Sequence, residues 1–220
     1  MGGNIWRIGA AALCLLLGAA PAAAVDGTVA AGWNVGLGLD VAATFDHFTR
    51  DLPLSARLGL GYHDAEPGDP YAARSIFIND NTNGDPEKGG EVWLLRFDLL
   101  FPAFKLGGQQ LHALVGPRHA RFTANFNYVG GNENFDVSSN PWGLGVGLET
   151  NLVMGESTAF VMQAGFDWYG KAKLAGHDTA YLPAGDDVNP RNDYDWDDAD
   201  AAIDQPRWEV VFGMGVRFGL

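Results

Sequence analysis

The chain closes with PRWEVVFGMGVRFGL, residues 206–220. Trp208, Val210, Phe212, Met214, Val216, Phe218 and Leu220 occupy every second position. Arg207, Glu209, Gly213, Gly215, Arg217 and Gly219 fall between them, with Val211 the exception. A period of two sends these sets to opposite faces of a strand. Chain ends of soluble domains are usually frayed and polar. A wholly apolar face here predicts a strand that runs between lipid and a polar interior.

The same alternation recurs upstream in blocks of about ten residues, the length a tilted membrane strand needs. Trp33 to Phe45 keeps its apolar residues at odd positions against Asn34, Asp40 and Thr44. Leu54 to Tyr62 opposes Arg57 and His63; Trp93 to Phe101 opposes Arg96 and Asp98, blurred by Leu94 and Leu100. Trp142 to Leu148 faces glycines and Glu149, and Thr158 to Trp168 faces Gln163 and Asp167. In the block from Leu111 to Tyr128 the apolar residues switch from odd to even positions, which predicts a β-bulge near Pro117. A soluble β-sandwich also alternates. Aromatics near strand ends (Trp33, Phe45, Tyr62, Trp93, Phe101, Trp142, Trp168, Trp208) favour the two interfacial girdles of a membrane barrel.

Composition agrees. Net charge is −13, a poor match for nucleic acid, whose phosphates attract Lys and Arg. Residues 1–24 read as a secretory signal peptide: Arg7, a short apolar stretch, then Ala22-Ala23-Ala24 before Val25. Cys14, the one cysteine, lies inside that signal, so a disulfide framework is excluded from 25–220.

The C-terminal stretch resembles the assembly signal of bacterial outer-membrane barrels, with Gly215, Phe218 and Leu220 in place, although Gly213 stands where a polar residue is usual. Residues 25–220 as a whole resemble the small barrels typified by the OmpA transmembrane domain and OmpW. The resemblance implies an all-β, antiparallel, up-and-down transmembrane barrel in the outer membrane of a Gram-negative cell. It would be a monomer, recognised by the barrel assembly machinery and surrounded by lipid and lipopolysaccharide. An even strand number is expected, with both termini in the periplasm. Seven blocks are clear. The eighth strand lies either at 71–79 or before Trp33; against these stand an N-cap and first helical residue at Asp69-Pro70, and the single apolar phase from Val29 to Phe45, which argues for one long strand. Short turns are expected at 102–108 and 154–157, and long external loops at about 64–90, 125–139 and 170–206.

Eight strands enclose a space that side chains fill. Arg57, Arg96, Asp98, Arg118, Glu149, Gln163, Asp167, Glu209 and Arg217 form the expected lumen set. Buried charges must pair, so four arginines and four carboxylates predict a polar plug that fixes register; a gated small pore is the other reading. The last loop carries Asp178, Asp186, Asp187, Asp193, Asp195, Asp197, Asp198, Asp200 and Asp204. Such a run is either a solvated acidic surface or a site for Ca²⁺ or Mg²⁺, which take carboxylate oxygens. Asn79, Asn81, Asn83 and Gly84 copy part of an EF-hand loop, with Gly90 where its last ligand should be and Glu91 one place late; Glu133 and Asp136 sit in a similar setting.

Some small barrels modify lipid A. None of His47, His63, His112, His119 and His177 is followed two places on by Ser, the pattern of the deacylase barrels. The expected function is a non-enzymatic membrane barrel anchoring acidic loops that bind cations, lipopolysaccharide or an external partner. Passive transfer of small or apolar solutes, implied by the resemblance to OmpW, and lipid A modification are the alternatives.

Overall fold

The computed structural model describes residues 25–46, 53–191 and 193–219; the expected signal peptide, His47 and Leu220 lie outside them. In chain order the elements are β1 (Val25–Asn34), β2 (Gly36–Phe45), β3 (Ser55–Ala65), α1 (Pro70–Phe77), β4 (Asp85–Leu106), β5 (Gln109–Val129) and β6 (Asn134–Ser139). There follow β7 (Trp142–Val153), β8 (Thr158–Tyr169), β9 (Leu174–Gly176), β10 (Thr179–Tyr181), α2 (Trp196–Ala202) and β11 (Trp208–Gly219).

Eight strands close a ring in the order β1-β2-β3-β4-β5-β7-β8-β11, all antiparallel. The last described strand pairs with the first, from Asp26↔Gly219 to Trp33↔Phe212. Gly215 is needed at this seam: a Cβ there would collide with the Val29 carbonyl oxygen. Outward residues are apolar and face no protein. Leu37, Leu39, Trp142 and Trp208 are 61–67 % exposed, a level that calls for a lipid solvent when it is repeated around a ring.

Two sequence expectations are corrected. Val29 to Phe45 is two strands, and the eighth strand is β1. The chain reverses at Val35 (φ 65°), with Asn34 opposite Gly36 and Val25 opposite Phe45. Every partner pair in this hairpin sums to an even number, so odd positions face outward on both strands and the phase passes through the turn unchanged. Segment 70–77 is helical, as Asp69-Pro70 suggested, with the Asp69 carboxylate accepting from the Tyr71 and Ala72 amides. The bulge lies at Pro102–Phe104, not at Pro117, where β4 and β5 keep one register. The phase change in β5 reflects what fills the barrel: even positions point inward throughout its upper length. The inward side is mixed up to Arg118, with His112, Leu114 and Gly116 below it, and wholly apolar at its even positions from Ala120 to Tyr128.

That apolar interior belongs to a cap at the loop end. β4 and β5, 22 and 21 residues long, run far past the roughly 9–11 residues a spanning strand needs. Their upper parts carry β6, β9 and β10 as a continuation of the sheet. Both helices pack inside it. Phe77, Leu94, Phe122, Phe126, Tyr128, Leu174, Tyr181 and Ile203 are almost wholly buried in one cluster. Segments expected as long loops are therefore largely an ordered lid with its own hydrophobic core.

Candidate functional site

Inside the ring, charge pairs form two layers. Nearer the termini, Glu149 (β7) accepts from Arg57 (β3) at 2.5 and 2.8 Å and from Arg217 (β11) at 2.6 Å. Arg57 also donates to Thr44 at 3.0 Å. Nearer the cap, Arg118 (β5) lies 2.7 Å from Asp98 (β4) and 2.9 Å from Asp167 (β8). Asp167 accepts from the Asn34 amide at 2.9 Å. Arg96 pairs with Asp40, which also meets the His63 Nε2 at 3.3 Å. Glycines on the inner face make room for these heads: a Cβ on Gly145 would collide with the Arg118 guanidinium.

The lumen set thus comes together, with two adjustments. Glu209 accepts from the Arg207 backbone amide at 3.1 Å and stands outside the network. Gln163 lines the lumen beside Arg96 and Asp98. Asp40, missing from the expected set, supplies the carboxylate that Glu209 does not. Its place on the polar face of the first alternating block was the available signal.

Free space in the lumen is uneven. A cavity of about 300 Å³ opens at the terminal end, lined by Asp26, Asp46, His112, Asn151 and Arg217 among others. Above Arg217, the pockets between Arg57, Arg96 and Asp98 and between Arg96, Arg118 and Asp167 hold about 30 and 10 Å³. That is space for about a water molecule or two.

The cap is held together by polar anchors. Tyr181 donates to the Ile76 carbonyl at 3.0 Å, Trp196 to the Ala172 carbonyl at 2.8 Å, and Tyr128 to the Pro70 carbonyl. Arg74 of α1 is 1 % exposed and gathers the segment that resembled an EF-hand loop. Its guanidinium reaches the Asn83 carbonyl and side chain (both 2.7 Å), Glu133 (2.6 Å) and Asn79 (3.3 Å), and lies over the Tyr128 ring. Oxygens that a cation would need already converge on an arginine. Asn81 instead closes an Asx turn by accepting from the Asn83 amide. Asp136 accepts from the Asn125 amide at 2.7 Å.

A hydrogen bond from Asn79 leads in holding the Glu133 carboxyl below the ordinary carboxylate range; desolvation opposes it and Arg74 adds to it. A lowered folded value stabilises fully above the ordinary range, about 4.3 for Glu, and the contribution fades as pH falls through the lowered value. Acidification from pH 6 through the carboxylate range should loosen the cap, measured as protease cleavage within 66–84. A Glu133→Gln variant should begin looser and change less over the same range. Equal slopes for the two proteins would remove Glu133 as the group responsible.

The nine loop aspartates occupy separate places. Asp195 caps α2 and forms a capping box with Asp198; Asp197 pairs with Lys171 at 3.1 Å, and Asp200 with Arg207 at 3.3 Å. Asp187 accepts from the Leu182 amide at 2.6 Å, and Asp178 meets His177 at 2.9 Å. Burial, with Glu66 nearby, raises the Asp204 carboxyl, while Asp186 and Asp193 are exposed. Among the described residues no three His, Cys, Asp or Glu side chains form a group suited to a metal ion.

The histidines are dispersed too. His63 is buried on Asp40, His112 lines the terminal cavity, His119 packs at a tilt against Trp142 with ring centroids 4.6 Å apart, and His177 sits on Asp178. Among the described residues none hydrogen-bonds a serine.

No family model and no curated protein matches the chain. Among solved structures it is similar to a major outer membrane protein from Thermus thermophilus, at 21 % identity and a TM-score of 0.73, covering 91 % of this chain and 100 % of that one. Acinetobacter baumannii CarO2 matches at 13 % identity and a TM-score of 0.47, over 91 % of this chain and 100 % of that one. The ring of eight strands, the exposed apolar belt and the Thermus likeness agree, and the chain has the fold of a small bacterial outer-membrane β-barrel.

Proposed function

We propose that the chain is a non-enzymatic outer-membrane scaffold, whose plugged barrel holds a folded, acidic cap at the cell surface. The observation that carries this reading is the stacking of closures inside one ring. The Arg57–Glu149–Arg217 cluster and the Arg118–Asp98–Asp167 cluster cross the lumen, and the apolar core of the cap lies above them. A conducting path would need at least one buried pair broken and the cap displaced. Exposed Asp186, Asp193, Asp197 and Asp198 give the cap a negative outer face, suited to a cationic partner.

The test is conductance in planar bilayers. The refolded protein should give no steady channels above the bare membrane. Reproducible unitary steps would overturn the scaffold reading in favour of solute transfer. Loss of acyl chains from lipid A on overexpression would overturn the non-enzymatic part.

A further inference from the structure

Surface cations at the loop end are mostly paired: Lys88 with Glu66, Lys171 with Asp197, Arg191 with Asp80, and Arg207 with Asp200. Arg121 and Lys173 are exposed, and among the described residues neither lies in an ion pair. They are far apart in sequence, yet the registers bring them together. β5 and β6 pair Phe122 with Ser139, and β6 and β9 pair Ser138 with Ala175. Extending the β5–β6 ladder by one residue and the β6–β9 ladder by two, just past the ends of β6 and β9, places Arg121, Asn140 and Lys173 in one row, all exposed on the outer face. Neighbouring strands lie about 4.8 Å apart, so the two cations project from backbones roughly 10 Å apart, with the Asn140 amide between them.

This is where β5 changes partner, from β7 below to β6 above, and the change leaves a hollow. A cavity of about 290 Å³ is lined by Ser138, Asn140, Ala172, Lys173 and Ala175. The aromatic belt runs beside and beneath it: Trp93 is the β4 partner of Arg121, level with it, and two residues down β5 His119 pairs with Trp142, their rings tilted together. Trp at a barrel rim marks the boundary between acyl chains and headgroups. The row therefore sits at headgroup height. The carboxylates nearby are committed elsewhere: Glu91 accepts from Tyr62 at 2.9 Å and Asp136 from Asn125.

We propose that Arg121, Asn140 and Lys173 form a binding site for the phosphate of a membrane glycolipid headgroup. Arg offers a planar fork to phosphate oxygens, Lys a mobile point charge, and the amide a neutral donor. The sugar lies in the hollow, and the acyl chains run down past Trp93 and Trp142. The net charge of −13 disfavours diffuse attraction of anions, so a local pair of unpaired cations at this height is a specific feature. The site rests on the reading of the belt as lipid-facing.

The experiment is native mass spectrometry of the barrel from Val25 to Leu220 in micelles, titrated with lipid A and with the same lipid dephosphorylated. The wild type should hold phosphorylated lipid A. Arg121→Gln with Lys173→Gln should bind it about tenfold or more weakly. Lys105→Gln, which removes one cation at the opposite end of the barrel, should bind as the wild type does. Millimolar inorganic phosphate should not displace the lipid. Equal binding by the double variant, equal binding of dephosphorylated lipid, or displacement by inorganic phosphate would each overturn the assignment. Failure of the wild type to form a β-rich state in micelles would instead refute the barrel and the site with it. Both substituted residues are exposed, so the double variant is expected to fold.

Discussion

Replacing Glu149 with Gln is expected to destabilise the refolded barrel by about 3–5 kcal/mol, because removing one partner of a buried ion pair strands the other. Here one carboxylate answers two guanidiniums, Arg57 and Arg217, and is itself 1 % exposed. Gln keeps the shape and some hydrogen bonding but leaves both arginines uncompensated. The measurement is the denaturant midpoint at pH 7 in micelles. Glu209→Gln is the control: it is half-buried, accepts a backbone amide and meets no arginine side chain, so its cost should stay near about 1 kcal/mol, that of an ordinary hydrogen bond. Equal losses in the two variants would mean that the lumen does not separate plug from rim as described.

Phe126→Ala should cost about 3–5 kcal/mol, as is usual for an aromatic removed from a packed core, but the loss should be confined to the cap. Phe126 is fully buried against Phe135, with ring centroids 5.5 Å apart, well above the inner ion pairs. Barrel strands below keep their own ladders, and parts of a structure with separate contacts open separately. Limited proteolysis should cut the variant within 66–84 and 182–195, while the belt and the folded barrel persist. A variant that loses barrel and cap together would show that the two fold as one unit.

Much of this was readable before the structure because a barrel wall has only two faces. Alternation gave lumen and lipid sides for Arg57, Arg96, Arg118, Glu149, Asp167 and Arg217. Where it misled, the cause was geometric. The reversal at Val35 has an even pairing sum, so periodicity cannot see it, and a β-branched residue at positive φ carries no turn signature. Length held the better clue: the run from Val29 to Phe45 exceeds a single spanning strand. In β5 the inward face changes from mixed to apolar at Ala120, which looks like a register slip when the interior is assumed to be polar throughout. Asp40 faced the lumen in the pattern, but nothing local distinguished it from Glu209. The cap was not legible as a folded unit, since its core joins Phe77, Phe126, Tyr181 and Ile203, residues scattered over more than half the chain.

The central claim is that the loop end is a folded cap over a plugged barrel. Amide hydrogen exchange of the refolded protein in micelles tests it most directly. Segments 70–78, 120–128 and 194–203 should exchange over hours, as slowly as the barrel strands below them. Exchange of 70–78 and 194–203 within seconds, beside protected barrel strands, would make these segments open loops and contradict the cap.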